Sequence, residues 1–259
     1  MRDLHGYGPW AVIAGASEGI GAAFATALAR GGVNVVLAAR RPEPLDVLAS
    51  RLRADHGVEA RTVVGDLATV DGVDALVAAC TEIEVGLLVT NAAFAPIGRF
   101  LDRDEADLVR AVELNGVTLV RLARRFLPPM VDRGQGGLVV MSSLAGQQGS
   151  PGIATYAATK AFGAVLAEGL WSELRGTGVD VVACVAGAVL TPGLEQAKQR
   201  RAPGTVAADV VASAALDALG HGPRTVPGRL MRVSSVLTSR LMPKRAAIAL
   251  IAKASSDLT

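Results

Sequence analysis

From its amino end the chain alternates short apolar runs with longer stretches of helical spacing. Ala11–Ala14, Val33–Ala39, Ala60–Val64, Gly86–Thr90, Gly137–Ser142 and Val179–Val185 are rich in Val, Leu and Ala and lack a polar alternate face. Runs of this length and continuity predict parallel strands covered on both sides. Between them, Gly19–Gly31, Pro44–His56, Val70–Glu82, Asp104–Val131 and Thr155–Gly176 carry the periodicity of helices. Regular alternation of the two predicts an α/β fold, a doubly wound parallel sheet with helices on both faces. Gly31-Gly32 and Gly176 give helix ends the freedom of positive φ, and Asp102 or Asp104 is placed to cap the long middle helix. No long Pro, Gly or Ser-rich linker and no repeat divides the chain. Residues 1–259 therefore read as one domain, with a substrate-side loop near 186–205 and a C-terminal helical segment near 234–254.

Composition narrows the function classes. Hydrophobic residues make up 51% and charged residues 19% of 259, enough for one continuous core and unlike a disordered chain. Aromatics are 3%, the net charge is +2, and no run of five basic residues occurs, so a nucleic-acid partner is not expected. Cys80 and Cys184 lie far apart in apolar surroundings and read as buried free thiols, with no metal cluster implied. No apolar stretch reaches the roughly 18 residues of a membrane span, and Met1–Trp10 has no secretory pattern, so a cytoplasmic protein is expected. Lys244–Ala254 is basic at both ends and apolar between, which fits a helix packed on its own domain or on a partner subunit; contact with a membrane surface is the alternative.

The first predicted strand runs into Gly15-Ala16-Ser17-Glu18-Gly19-Ile20-Gly21 and then a helix of small residues. Glycine permits the tight turn and close approach of backbone to a pyrophosphate, and the helix N-terminus offers unpaired N–H groups to anionic oxygens. At the end of the second strand, where a carboxylate would bind ribose hydroxyls, stand Arg40 and Arg41. A guanidinium matches a 2′-phosphate, so NADP(H) is the preferred cofactor; Glu18 in the glycine turn disfavours a phosphate and keeps NAD(H) open.

Tyr156 and Lys160 are four apart and project from one helix face. A nearby cation stabilises a phenolate: bringing a tyrosine from about 10 to near 7 takes about 4 kcal/mol. Asn115-Gly116 is a poor pair for a helix interior and predicts a local bend.

Taken together these motifs resemble the short-chain dehydrogenase/reductase family over nearly the whole chain. Its marks are Gly15, Gly19 and Gly21; Arg40; Asp66-Leu67; Thr90-Asn91-Ala92-Ala93; Asn115; Ser143, 13 residues before Tyr156; and Tyr156 with Lys160. The resemblance implies a Rossmann-type domain and hydride transfer between nicotinamide and a carbonyl or secondary alcohol. It implies Tyr156 as general acid or base, Ser143 on the substrate oxygen, Lys160 on the nicotinamide ribose and Asn115 in a proton relay. Around the cofactor it implies Gly15, Ser17, Glu18, Gly19, Ile20, Gly21, Arg40, Arg41, Asp66, Leu67, Asn91, Ala92 and Ala93, with Gly187, Val189 and Thr191 toward the nicotinamide. Ala14, Ala93 and Ala186 depart from the family's usual threonine, glycine and proline, which removes no reacting group but leaves cofactor affinity open.

Phe94–Phe100, Leu144–Ile153 and the loop Ala188–Gly204 form the expected substrate walls, largely apolar, so a hydrophobic ketone or 3-oxoacyl substrate is expected. Lys198, Arg200 and Arg201 in that loop read as a solvated face, with a carrier phosphate the alternative. The resemblance also implies a homodimer or homotetramer paired through the helices of Asn115 and Tyr156. Two other classes use the same fold: an epimerase or dehydratase that recycles its cofactor internally, and a dinucleotide-binding sensor without turnover.

Overall fold

The structure is a computed structural model that describes residues 4–190 and 204–254. Seven parallel strands form its main sheet. They are β1 (Trp10–Ala14), β2 (Asn34–Ala39), β3 (Ala60–Val64), β4 (Val85–Thr90), β5 (Gly136–Ser143), β6 (Val179–Ala186) and a two-residue strand, Arg224–Thr225. Their spatial order is β3-β2-β1-β4-β5-β6 and then Arg224–Thr225, so the direction of winding reverses between β1 and β4. The six strands read from the sequence are present with ends within one residue; the seventh was too short to announce itself.

Successive side chains of a strand point to opposite faces, and here both faces are dry. Ala11 and Ile13 of β1, Val35 and Leu37 of β2, and Val139 and Met141 of β5 join one core, with Phe24 and Leu28 of α1 (Gly19–Arg30), Leu45 and Leu52 of α2 (Pro42–His56), and the helix Ala208–Ala218. Val12, Val36, Leu138 and Val140 point the other way, into a second core. That core is closed by α3 (Val70–Ala78), α5 (Thr118–Arg133) and α6 (Ala154–Glu173). Two cores need apolar residues at every position of the inner strands, which is why those runs show no alternation; the edge strand β3 carries Arg61 and Thr62 and is only partly buried.

The long middle helix is continuous from Glu105 to Arg133 but not uniform. It begins as α4 (Glu105–Val112), passes through a π turn at Glu113–Val117 and continues as α5. Asn115-Gly116 sits inside that turn, so the expected bend is there. Asp104 occupies the N-cap position, yet its side chain makes no capping hydrogen bond. At the end of α1, Gly31 keeps a negative φ of −82° and Gly32 adopts the positive one, +80°.

After β6, Val189–Leu190 pairs with Val206–Ala207 in a small parallel ladder. The C-terminal region is helical from Arg229, not from about 234: Arg229–Val236, a π turn at Leu237–Leu241, then Lys244–Ala254. Among the described residues no helix is long and apolar enough to cross a membrane, and no group of His, Cys, Asp and Glu could hold a metal ion. Cys80 and Cys184 are buried free thiols; burial pushes the first up to about 11 and the second up to about 12, which keeps both protonated.

Candidate active site

A cleft of about 830 Å³ opens at the C-terminal ends of the strands, where the winding reverses. Gly15, Ser17, Glu18, Gly19 and Ile20 line one end, and Ser143, Tyr156, Lys160, Gly187 and Val189 the other. Arg40, Arg41, Asp66, Leu67, Asn91, Ala92 and Ala93 line it between them. Gly21 stands just behind this wall. Thr191 lies outside the described residues, as do the loop residues Leu194, Lys198, Arg200 and Arg201.

The glycine turn is shaped by contacts that leave no room for a side chain. Gly15 has φ +91°, and a Cβ on it would stand 2.5 Å from the Ala92 nitrogen. A Cβ on Gly21 would collide with the Gly15 carbonyl oxygen. Asn91 ties the turn down: its Nδ2 donates to the Gly15 oxygen at 2.7 Å, while the Asn91 and Ala92 N–H groups both donate to the Ala14 oxygen. The turn therefore presents bare backbone at the start of α1, the arrangement that lets a pyrophosphate approach peptide N–H groups. The residues present thus fit a dinucleotide.

Charges around the next part of the cleft are more entangled than the sequence suggested. Arg41 reaches back over the glycine turn, 2.8 Å from Glu18 Oε1 and within 3.4 Å of Ser17 Oγ. Glu18 is thereby neutralised locally, and Arg40 is left exposed beside the cleft without an ion pair among the described residues. Asp66 Oδ2 accepts from Arg110 Nη2 at 2.7 Å and its Oδ1 accepts from the Ala68 N–H. Burial would raise this carboxyl, but the Arg110 guanidinium and the Ala68 N–H outweigh it and hold it below its usual value. Leu67 is 4% exposed, and its carbonyl accepts from Thr118 Oγ1.

At the other end, Ser143 terminates β5 and Tyr156 and Lys160 lie on the first turns of α6. Ser143 Oγ accepts from the Ala145 N–H at 3.2 Å. Burial pushes the Tyr156 phenol above its usual value, against the lowering expected from a neighbouring cation, and Ser143 beside it opposes the shift. Lys160 is buried, its Nζ 5.6 Å from the Tyr156 ring centre and donating to the Met141 carbonyl at 2.9 Å. Burial pushes Lys160 down to about 8, close to the pH at which its charge can change. Its own carbonyl accepts from Ser142 Oγ at 2.8 Å, which ties α6 to β5.

Asn115 is occupied otherwise than as a free amide. Its Oδ1 accepts from the Phe94 N–H at 2.8 Å, and its Nδ2 donates to the Phe94 carbonyl at 2.9 Å and to Thr159 Oγ1 at 3.0 Å. One side chain thus fastens the segment after β4 to the neighbour of Lys160. Arg110, Thr159, Ser142 and Met141 are partners that sequence reasoning missed; Thr159 and Ser142 adjoin quoted residues, whereas no spacing marks Arg110 as the partner of Asp66. Ile153, on the cleft wall next to Tyr156, was included only as part of a longer loop.

The model of a family described as short chain dehydrogenase matches residues 9–202. A 7beta-hydroxysteroid dehydrogenase of Collinsella aerofaciens is 34% identical over 188 residues, covering 73% of this chain and 72% of that protein. Among solved structures, a 7beta-hydroxysteroid dehydrogenase studied for its stereoselectivity aligns with a TM-score of 0.91 at 28% identity, over 97% of this chain and 99% of that one. A short-chain dehydrogenase from Sphingobium yanoikuyae in complex with NADPH aligns with a TM-score of 0.79 at 32% identity, over 90% and 96% of the two chains.

Proposed function

The chain belongs to the short-chain dehydrogenase/reductase family and is similar to oxidoreductases of carbonyl and alcohol groups, and from that premise we propose that it reduces a bulky apolar ketone with NADPH. The observation that carries the reading is one cleft joining a bare-backbone glycine turn to Ser143, Tyr156 and Lys160. A bound nicotinamide dinucleotide supplies the hydride.

The protein supplies the proton and the geometry. Tyr156 gives its hydroxyl proton to the carbonyl oxygen, and takes one from the alcohol in the reverse direction. Its raised pKa keeps it protonated at neutral pH, the form that reduction needs. Ser143, on the cleft wall with Tyr156, donates to the same substrate oxygen and fixes its position. The Lys160 ammonium, held by the Met141 carbonyl, stabilises the phenolate as the proton leaves and would hold the nicotinamide ribose. Asn115 holds the Phe94 segment and Thr159, so that the wall facing Lys160 is fixed; its part in a proton relay would run through the backbone of the π turn.

For the cofactor, Gly15, Ser17, Gly19 and Ile20 would receive the pyrophosphate, with Gly21 behind them keeping the turn tight; Asp66 and Leu67 would flank the base, and Asn91, Ala92, Ala93, Gly187 and Val189 would hold the nicotinamide half. Arg40 is the group for a 2′-phosphate, because Arg41 is already paired with Glu18. The similarity to a relative solved with NADPH supports that preference. Steroid dehydrogenases among the relatives, and Ile97, Ile153 and Val189 on the cleft wall, support a large apolar substrate. Val109, Val112, Val120, Phe162 and Val165, exposed on α4, α5 and α6, support pairing of these helices across a two-fold axis. Residues 1–259 then act as one catalytic unit.

Titrating the protein with NADPH and NADH, then following absorbance with steroid ketones and 3-oxoacyl thioesters, tests the reading. Tighter NADPH binding and ketone-dependent consumption, both in the unmodified protein, are expected. Turnover confined to small sugars removes the substrate class; tighter NADH binding removes the cofactor assignment; product formed without net NADPH consumption gives the site to internal recycling.

A further inference from the structure

The C-terminal helices do not look like the rest of the molecule. Between Asp217 and Asp257 the chain holds seven Lys and Arg residues and no Asp or Glu, which leaves nineteen cations against 24 carboxylates elsewhere. Much of this charge is outward: Arg229, Arg232, Lys244 and Arg245 are exposed, and none forms an ion pair among the described residues.

Helix Arg229–Val236 is oriented the wrong way round for a water-facing helix. Its inner face is Met231, which packs on Gly187 of the cleft wall and on Gly204, and Ser235, whose Oγ accepts from Gln147 Nε2 at 2.6 Å. On a 100° wheel Val233 is opposite these two, and it is 66% exposed. Leu230 at 57% and Leu237 at 46% flank it. Apolar side chains thus point away from the protein, edged by unpaired guanidinium groups, a pattern suited to an interface of hydrocarbon and anionic headgroups.

We infer that this face is a docking surface for an anionic lipid bilayer, lying on it without spanning. Charge decides the occupant. A second copy meeting it across a two-fold axis would set cations against cations, whereas an anionic leaflet complements every one of them. Because the inner side of the same helix closes on the cleft, docking would bring the substrate end of the cleft to the lipid surface. Binding itself rests on the charge and exposure of this helix alone; that the docked end is the substrate end, and the ketone control, rest on the proposed function.

The test is co-sedimentation of the full chain with vesicles of phosphatidylcholine alone or with phosphatidylglycerol. Expected is binding only to the phosphatidylglycerol vesicles, reduced at least tenfold by about 0.5 M salt, where the screening length falls to a few ångströms. Leu230→Ser with Val233→Ser, and separately Arg229→Gln with Arg232→Gln, should each lower binding at least tenfold and leave reduction of a water-soluble ketone unchanged. Absence of binding to anionic vesicles overturns the inference, and so does binding that survives the serine variant. If that variant instead lowers the mass in sedimentation velocity, the face is a subunit contact and the bilayer assignment falls.

Discussion

The two ends of the cleft are built on opposite principles. At the glycine end backbone touches backbone: Gly15 against Ala92 and Gly21 against the Gly15 carbonyl, with Asn91 pinning the turn. At the reactive end the contacts are made by side chains, Ser142 on the Lys160 carbonyl, Lys160 on Met141 and Asn115 on Phe94. Shape and fold are inseparable at the first end, since the surface that would receive a ligand is the packing itself. At the second, chemistry can be removed while the fold stays, because the groups concerned protrude from a helix that other residues hold in place.

The largest expected effect is at the glycine end. Gly21→Ala should destabilise the protein by at least about 3 kcal/mol in denaturant unfolding and abolish cofactor binding, since the obstructing atom is a carbonyl fixed by Asn91. A stable, cofactor-binding Gly21→Ala protein would break the contrast. Tyr156→Phe should lower kcat/KM by about 10²–10⁴-fold while stability moves by less than about 0.5 kcal/mol. Both are read on one preparation, and unfolding of this variant would erase the distinction.

Lys160 sharpens the comparison further, because the reactive end holds a charge at the expense of stability. Its folded pKa, about 8, lies below the ordinary lysine value, so folding expels a proton between the two. The penalty is full below pH 8 and vanishes above about 10.5. Lys160→Met should therefore raise stability at pH 7, by up to about 3 kcal/mol less what the Met141 carbonyl loses, and the gain should fade toward pH 10 while ketone reduction is lost. Equal melting behaviour of the two proteins at pH 7 and pH 10 would show that the buried ammonium carries no such strain. The smallest effect is expected at the rim: Glu18→Gln frees Arg41 and should tighten NADPH about three- to tenfold with NADH unchanged, measured by fluorescence titration. An equal change for both cofactors would place Arg41 away from the 2′-phosphate.

The same contrast explains what the sequence made legible. Strands buried on both faces are continuous runs, so six were readable to within a residue, and the Gly-rich turn and Tyr156-x-x-x-Lys160 carry their geometry in their spacing. Arg224–Thr225 is two residues long and takes its pairing from β6, which no local pattern records. Helix Arg229–Val236 begins before the expected segment; its periodicity is regular, but no local pattern records that its apolar residues face outward. Long-range side-chain choices were hidden as well: that Arg41 turns to Glu18, Arg110 to Asp66 and Asn115 to Phe94 depends on three-dimensional proximity, although Asn115-Gly116 did announce the bend.

The π turn at Glu113–Val117 has a consequence for phase. It puts one extra residue into a helical turn, so α4 and α5 are out of step by about 100°. Leu122, Phe126 and Met130 reach the core only in this shifted frame. Deleting a single residue at the turn would let the helix run on unbroken, and in doing so would rotate that whole stripe away from the sheet: a helix more regular, attached to a protein that no longer closes.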